Sequence, residues 1–157
     1  MATLTNIIYY LLDAYPNKAE LSNARVTKMI YLADWHSAIM RNKQVTNISW
    51  FFNNFGPFVS DILQEIEAHP NLFSITHTST YLGNQKTLFG INKETSFIPN
   101  LEKEEIDILD KVISVTKEKT WDQFITFVYS TFPIANSDRY KFLDLVKMAE
   151  EYKKNKS

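Results

Sequence analysis

Apolar residues at Leu4, Ile7, Ile8, Leu11 and Leu12 recur with helical spacing and predict an amphipathic helix over residues 4–15, closed by Pro16-Asn17. Leu21-Ser22-Asn23 offers the cap of a second helix that runs to about Met40. This one is apolar on two sides. Val26, Met29, Ile30, Ala33, Ser37 and Met40 form one stripe, and Lys28, Leu32, Trp35 and Ile39 lie opposite. Such a helix is either central, with neighbours on both sides, or packs one stripe inside and turns the other to a partner. After a polar turn at 41–47, residues 48–52 read as a short strand with Trp50 and Phe52 on one side and Phe51 on the other.

Asn53-Asn54-Phe55-Gly56-Pro57 reads as a turn, with Pro57 at the first position of a helix over 57–68. Val59, Ile62, Leu63 and Ile66 would be its buried face, and His69-Pro70-Asn71 breaks it. Two β-branched and aromatic runs, 72–80 and 86–91, flank Gly83-Asn84 and predict a β-hairpin. A loop over 92–100 leads to a helix over 101–117, whose early acids Glu102, Glu104 and Glu105 suit its N-terminal dipole. Thr120 caps a helix over 121–131 that ends at Pro133, and Asn136-Ser137-Asp138 caps a last helix to about Lys154. The expectation is one mainly helical α+β domain over 1–157 with a small antiparallel β-sheet or hairpin, and a disordered tail at 154–157.

Composition narrows the function. The 157 residues suffice for one domain with a real core. A net charge of -1 supplies no global field for nucleic acid or an anionic membrane. The absence of cysteine removes disulfides, thiolate catalysis and Cys-ligated zinc. The N-terminus lacks the pattern of a signal peptide, and its apolar run at 7–12 is far short of a membrane span. A cytoplasmic chain with no membrane partner is expected.

Candidate chemistry is sparse. Asp34 and His36 are the obvious acid/base pair, but two residues apart on a helix they point to different faces. An enzyme using Asp34 and His36 in a cleft is the alternative reading, and it needs a third titratable group beside them. His69 and His77 stand in no metal-binding pattern, the glycines form no phosphate loop and no serine has a nucleophile-elbow context. No cofactor or metal is expected. Lys111, Lys117 and Lys119, and Lys147, Lys153, Lys154 and Lys156, are interleaved with acids such as Glu118, Glu150 and Glu151. They read as solvated helix faces, so nucleic acid is not an expected partner.

Two motifs in this order look familiar. The second helix reads Val26-Thr27-Lys28-Met29-Ile30-Tyr31-Leu32-Ala33-Asp34, and after the strand comes Phe55-Gly56-Pro57. With the hairpin and the segment from Trp121 to Pro133, the chain resembles the Panacea (SocA-like) antitoxin domain, of a phage-associated type. That family has L-T-K-L-L-Y-L-A-D on the helix and Y-G-P at the turn, so Phe55 stands where its tyrosine would be. The resemblance covers nearly the whole chain. It implies a non-enzymatic antitoxin that binds and neutralises a toxin protein encoded by a neighbouring gene. For some relatives it implies an adaptor that delivers its partner to a protease or redirects a host factor. Self-association is left open.

The aromatic set Trp50, Phe51, Phe52, Phe55 and Phe58 could fill much of a small core, since each such ring removes on the order of 150–250 Å² from water. Yet a short strand buries one face cheaply, and alternation sends Phe51 to the other. Any exposed remainder would anchor a partner. The expected partner-binding face is the outer side of the second helix with the adjoining turn: Lys28, Tyr31, Asp34, Trp35, Asn53, Asn54, Phe55, Gly56 and Pro57.

Overall fold

The computed structural model describes residues 3–79 and 81–156. The expected strand end at Thr80 and the last tail residue, Ser157, lie outside the described residues.

The element at the centre is α2 (Asn23–Arg41). Ser22 caps it, its Oγ accepting from the Arg25 amide at 3.1 Å, and Asn42 ends it in the left-handed conformation at φ 59°. Apart from Met40 at its C-terminal end, both of its apolar stripes are wholly or partly covered, so of the two sequence readings the central one holds. α4 (Lys103–Thr116) packs against it, and α1 (Leu4–Ala14) packs against α4. α4 opens on a reciprocal capping box between Glu102 and Glu105, and α5 (Trp121–Ser130) on another between Thr120 and Gln123.

The β structure falls into two pieces. β3 (Phe73–Ser79) and β4 (Gln85–Ile91) form the expected hairpin, in register from Phe73↔Ile91 to Ser79↔Gln85. A three-stranded antiparallel sheet has β1 (Trp50–Asn53) in the middle, β2 (Gly56–Phe58) on one edge and β5 (Phe142–Leu143) on the other. The remaining α-helices among the described residues are α3 (Asp61–Ala68), α6 (Phe132–Ala135) and α7 (Leu145–Lys156), and a 3-10 turn spans Lys18–Glu20.

Four boundaries differ from the sequence reading. Pro57 does not start a helix: it sits in edge strand β2 opposite Phe52, and α3 begins at Asp61. Gly56, at φ 101°, reverses the chain tightly enough for Pro57 and Phe58 to pair back onto β1, and an edge strand tolerates proline. The Asn136-Ser137-Asp138 cluster does not cap the last helix. Tyr140 takes a left-handed φ of 67°, the chain runs extended along β1, and the Phe52 amide donates to the Lys141 carbonyl at 2.9 Å. α7 starts instead behind Asp144, whose Oδ1 accepts from the Lys147 amide at 3.1 Å. Pro133 lies in the first turn of α6 rather than beyond the end of a helix, and residues 154–156 belong to α7.

Candidate functional site

Asp34 organises the segment that leads into the sheet. It is fully buried on α2 and every partner is a donor. The amides of Val45 and Thr46 donate to Oδ1 at 2.8 and 2.9 Å. The Thr46 hydroxyl, the Trp50 indole and the Gln44 amide donate to Oδ2 at 2.5, 2.8 and 3.3 Å. Burial pushes its carboxyl up to about 6, against the pull of the hydrogen bonds from Thr46, Trp50 and Val45. One carboxylate thus ties the chain after α2 to the helix and fixes the first residue of β1.

The other helix residues of the expected partner face are also inside. Tyr31 shares a 2.8 Å hydrogen bond with the Thr131 hydroxyl and packs edge-on against Trp50. Trp35 stacks on Phe132 with the ring planes 6° apart and meets Tyr152 edge-on. Lys28 is only 4% exposed and makes no hydrogen bond or ion pair among the described residues. Burial lowers its ammonium's affinity for the proton. Its chain passes Gly56, where an added Cβ would stand 3.7 Å from the Lys28 Cε and 3.4 Å from the Tyr129 ring. As an exposed outer side of the second helix, that face is therefore corrected: Lys28, Tyr31, Asp34 and Trp35 are covered by the chain's own loop, sheet and C-terminal helices.

The turn half of that face is at the surface in part. Gly56 and Pro57 are buried, Asn53 is half-buried, and Asn54 and Phe55 are exposed, Phe55 by 81%. The turn is held from outside. The Tyr140 hydroxyl donates to the Asn54 side chain, and the Arg139 Nε donates to the Asn54 carbonyl at 3.3 Å.

The sheet sorts its aromatics by face, as alternation requires. Trp50, Phe52, Pro57 and Leu143 point inward and are buried. Phe51 is paired with Phe58 on β2 and with Phe142 on β5, so three phenylalanines lie side by side across the outer face. Phe58 is 38% and Phe142 71% exposed, and the Phe51 and Phe142 rings meet edge-on at 5.1 Å. Phe55 and Tyr140, the latter 62% exposed, continue the patch past the β1–β2 turn. Sequence reasoning found Phe51, Phe55 and Phe58 but missed Phe142 and Tyr140, which it had placed in the last helix. The extended alternation of Tyr140-Lys141-Phe142-Leu143 was the available signal.

His36 does not join Asp34. It lines a cavity of about 330 Å³ with Lys111, Trp35 and Phe132, whereas Asp34 is enclosed by residues 44–50. Among the described residues, no group of three or more His, Asp or Glu side chains could hold a metal ion. No helix among them is long and apolar enough to cross a membrane.

A mainly helical α+β domain with a buried carboxylate hub and a row of exposed aromatics is, in architecture, a preformed surface. The family model for the SocA-like antitoxins, the Panacea domain, matches residues 26–132, and the chain belongs to that family. The matched span runs from the α2 motif to the first residue of α6, so it holds Phe51, Phe55 and Phe58 but not Phe142. No curated protein and no solved structure matches the chain.

Proposed function

We propose that this protein is a non-enzymatic antitoxin that binds a toxin protein directly and occludes its working surface. The contact face is the outer side of the three-stranded sheet with the Asn53-Asn54-Phe55 turn. The observation that carries this is the exposed row Phe58–Phe51–Phe142, extended by Phe55 and Tyr140. Aromatic side chains offer large rigid area at little entropic cost, and they dominate the anchor positions of protein interfaces. A turn pinned by Tyr140 and Arg139 is ordered before the partner arrives, which lowers the cost of binding. Lys28, Tyr31 and Asp34 serve this reading as the support beneath β1 and the turn, while Trp35 packs against the C-terminal helices. Family membership supplies the class of partner, a toxin.

The test is growth rescue. The product of the flanking gene is induced alone and together with this protein, and the pair is co-purified. The expected result is growth arrest by the neighbour, relief on co-expression and a stable complex. Phe55→Ser with Phe142→Ser should lose both complex and rescue while the chain stays folded, because both rings are exposed. A harmless neighbour that does not co-purify overturns the antitoxin reading. Full rescue by the double variant overturns only the placement of the face. Delivery of the toxin to a protease would use the same face and would show as a shortened half-life of the bound toxin.

A further inference from the structure

The cavity beside α2 has no part in the binding face just described. It opens between α2, α4, α5, α6 and α7 and measures about 330 Å³, within the range of small-ligand sites. One wall is the Trp35–Phe132 stack with Tyr152 against both rings. Val112, Val115 and Phe127 line it further. The body of any occupant must therefore be apolar.

The serine, threonine, histidine and lysine groups of the lining divide in two. Three hydroxyls are committed to neighbouring carbonyls: Thr116 donates to Val112, Ser130 to Phe127 and Thr131 to Val128, at 2.8, 2.6 and 2.7 Å. Two nitrogen groups are not. Neither His36 nor Lys111 makes a hydrogen bond or an ion pair among the described residues. The two lie close enough for the Lys111 charge to add to burial in lowering the basicity of His36. No Asp or Glu lines this cavity. An apolar chamber with paired nitrogen donors and no acid calls for a ligand of matching shape: a hydrocarbon or aromatic body carrying one negative group.

We infer that the cavity between α2, α4, α5, α6 and α7 binds a small amphipathic carboxylate, its apolar body against Trp35, Phe132 and Tyr152 and its carboxylate held by Lys111 and His36. The carboxylate pairs with the Lys111 ammonium and accepts from the His36 ring, and the body removes apolar wall from water. Trp35 lies on the helix that also carries Asp34, so an occupant here touches the element that anchors β1. This inference does not rest on the antitoxin reading, and its test uses the full chain alone.

The probes are 4-phenylbutanoate and its neutral counterpart 4-phenylbutanol, titrated by calorimetry and by the fluorescence of the chain's tryptophans. The carboxylate should bind at least tenfold more tightly than the alcohol. Lys111→Met, at an exposed position that the fold does not need, should erase that difference and leave alcohol binding in place. Val115→Phe should weaken both by filling the chamber. A charge preference that survives in Lys111→Met overturns the assignment of the carboxylate to Lys111 and His36. Equal binding of acid and alcohol by the natural chain overturns the ligand class. No binding of either probe up to millimolar concentration overturns the site itself.

Discussion

Asp34 shows how one side chain can be indispensable without touching a partner. Both of its oxygens face donors alone, two amides on one and a hydroxyl, an indole and a carboxamide on the other. An asparagine there would turn an NH₂ toward one of those sets and leave buried donors without an acceptor. Each such loss costs about 1–3 kcal/mol. At pH 7, where removal of the buried charge offsets part of this, Asp34→Asn should destabilise the fold by about 1–3 kcal/mol in chemical denaturation, although it changes neither size nor shape. A loss under about 1 kcal/mol would mean that residues 44–50 hold their course by packing rather than through this carboxylate. Its neighbour Ala33 is fully buried as well, so the end of the Leu32-Ala33-Asp34 run packs inside while Asp34 staples the next segment.

Among the elements, helices with clear periodicity and a good cap were legible. Ser22, Thr120 and the Glu102–Glu105 pair each act where the pattern placed a helix start. The hairpin was legible too, because two β-rich runs flank a turn signal. Harder to read were elements fixed by distant partners. Gly56-Pro57 carries a helix-start signature, yet the pairing of Phe58 and Pro57 with Phe51 and Phe52 outweighs it. Asn136-Ser137-Asp138 carries a capping signature, yet β1 recruits Phe142–Leu143 from 90 residues away in sequence and delays the helix. The candidate face suffered from the same cause. Its turn half, Asn53 to Phe55, follows from local signals, but its completion by Tyr140 and Phe142 is long-range. The second stripe of α2 was mistaken for a surface because local periodicity does not reveal that α7 and the sheet both arrive to cover it. Gly56 offers a sharp check at this scale. Its φ of 101° is strained for any side chain, although a Cβ would meet the Tyr129 ring at an ordinary contact distance of 3.4 Å. Gly56→Ala should cost about 2 kcal/mol, a fall in melting temperature of roughly 4–8 °C for a chain of this size. An unchanged melting point would show that the turn can reverse without a left-handed residue.

For the molecule as a whole, Asp34 and Lys28, both buried on α2, set opposite pH dependences. Asp34 is held above its ordinary value, at about 6. The folded state then binds a proton more readily than the unfolded chain. The stability that Asp34 contributes is present below about 4 and is lost as pH rises through about 6. The shift amounts to about 3 kcal/mol by the standard conversion of pKa units to free energy. A direct carboxyl titration by NMR should find the Asp34 midpoint near 6, and a midpoint at or below 4 would mean that its five donors outweigh its burial. Lys28 works the other way. Burial lowers its proton affinity and no acid compensates, so its charged form weakens the fold at neutral pH. That penalty fades as pH rises through the lowered value toward the ordinary lysine range. Lys28→Met keeps the length of the side chain and removes the charge, so it should stabilise the protein at pH 7. The gain should shrink by pH 9.5, measured as the difference between variant and natural chain by urea denaturation at each pH. Subtraction removes the contribution of the buried tyrosines, Tyr31 above all, because they titrate in both proteins. A gain that stays constant with pH would assign the effect to packing against Gly56 and Tyr129 instead. A loss of stability at pH 7 would show that the Lys28 ammonium has a stabilising role that its position beneath the turn conceals.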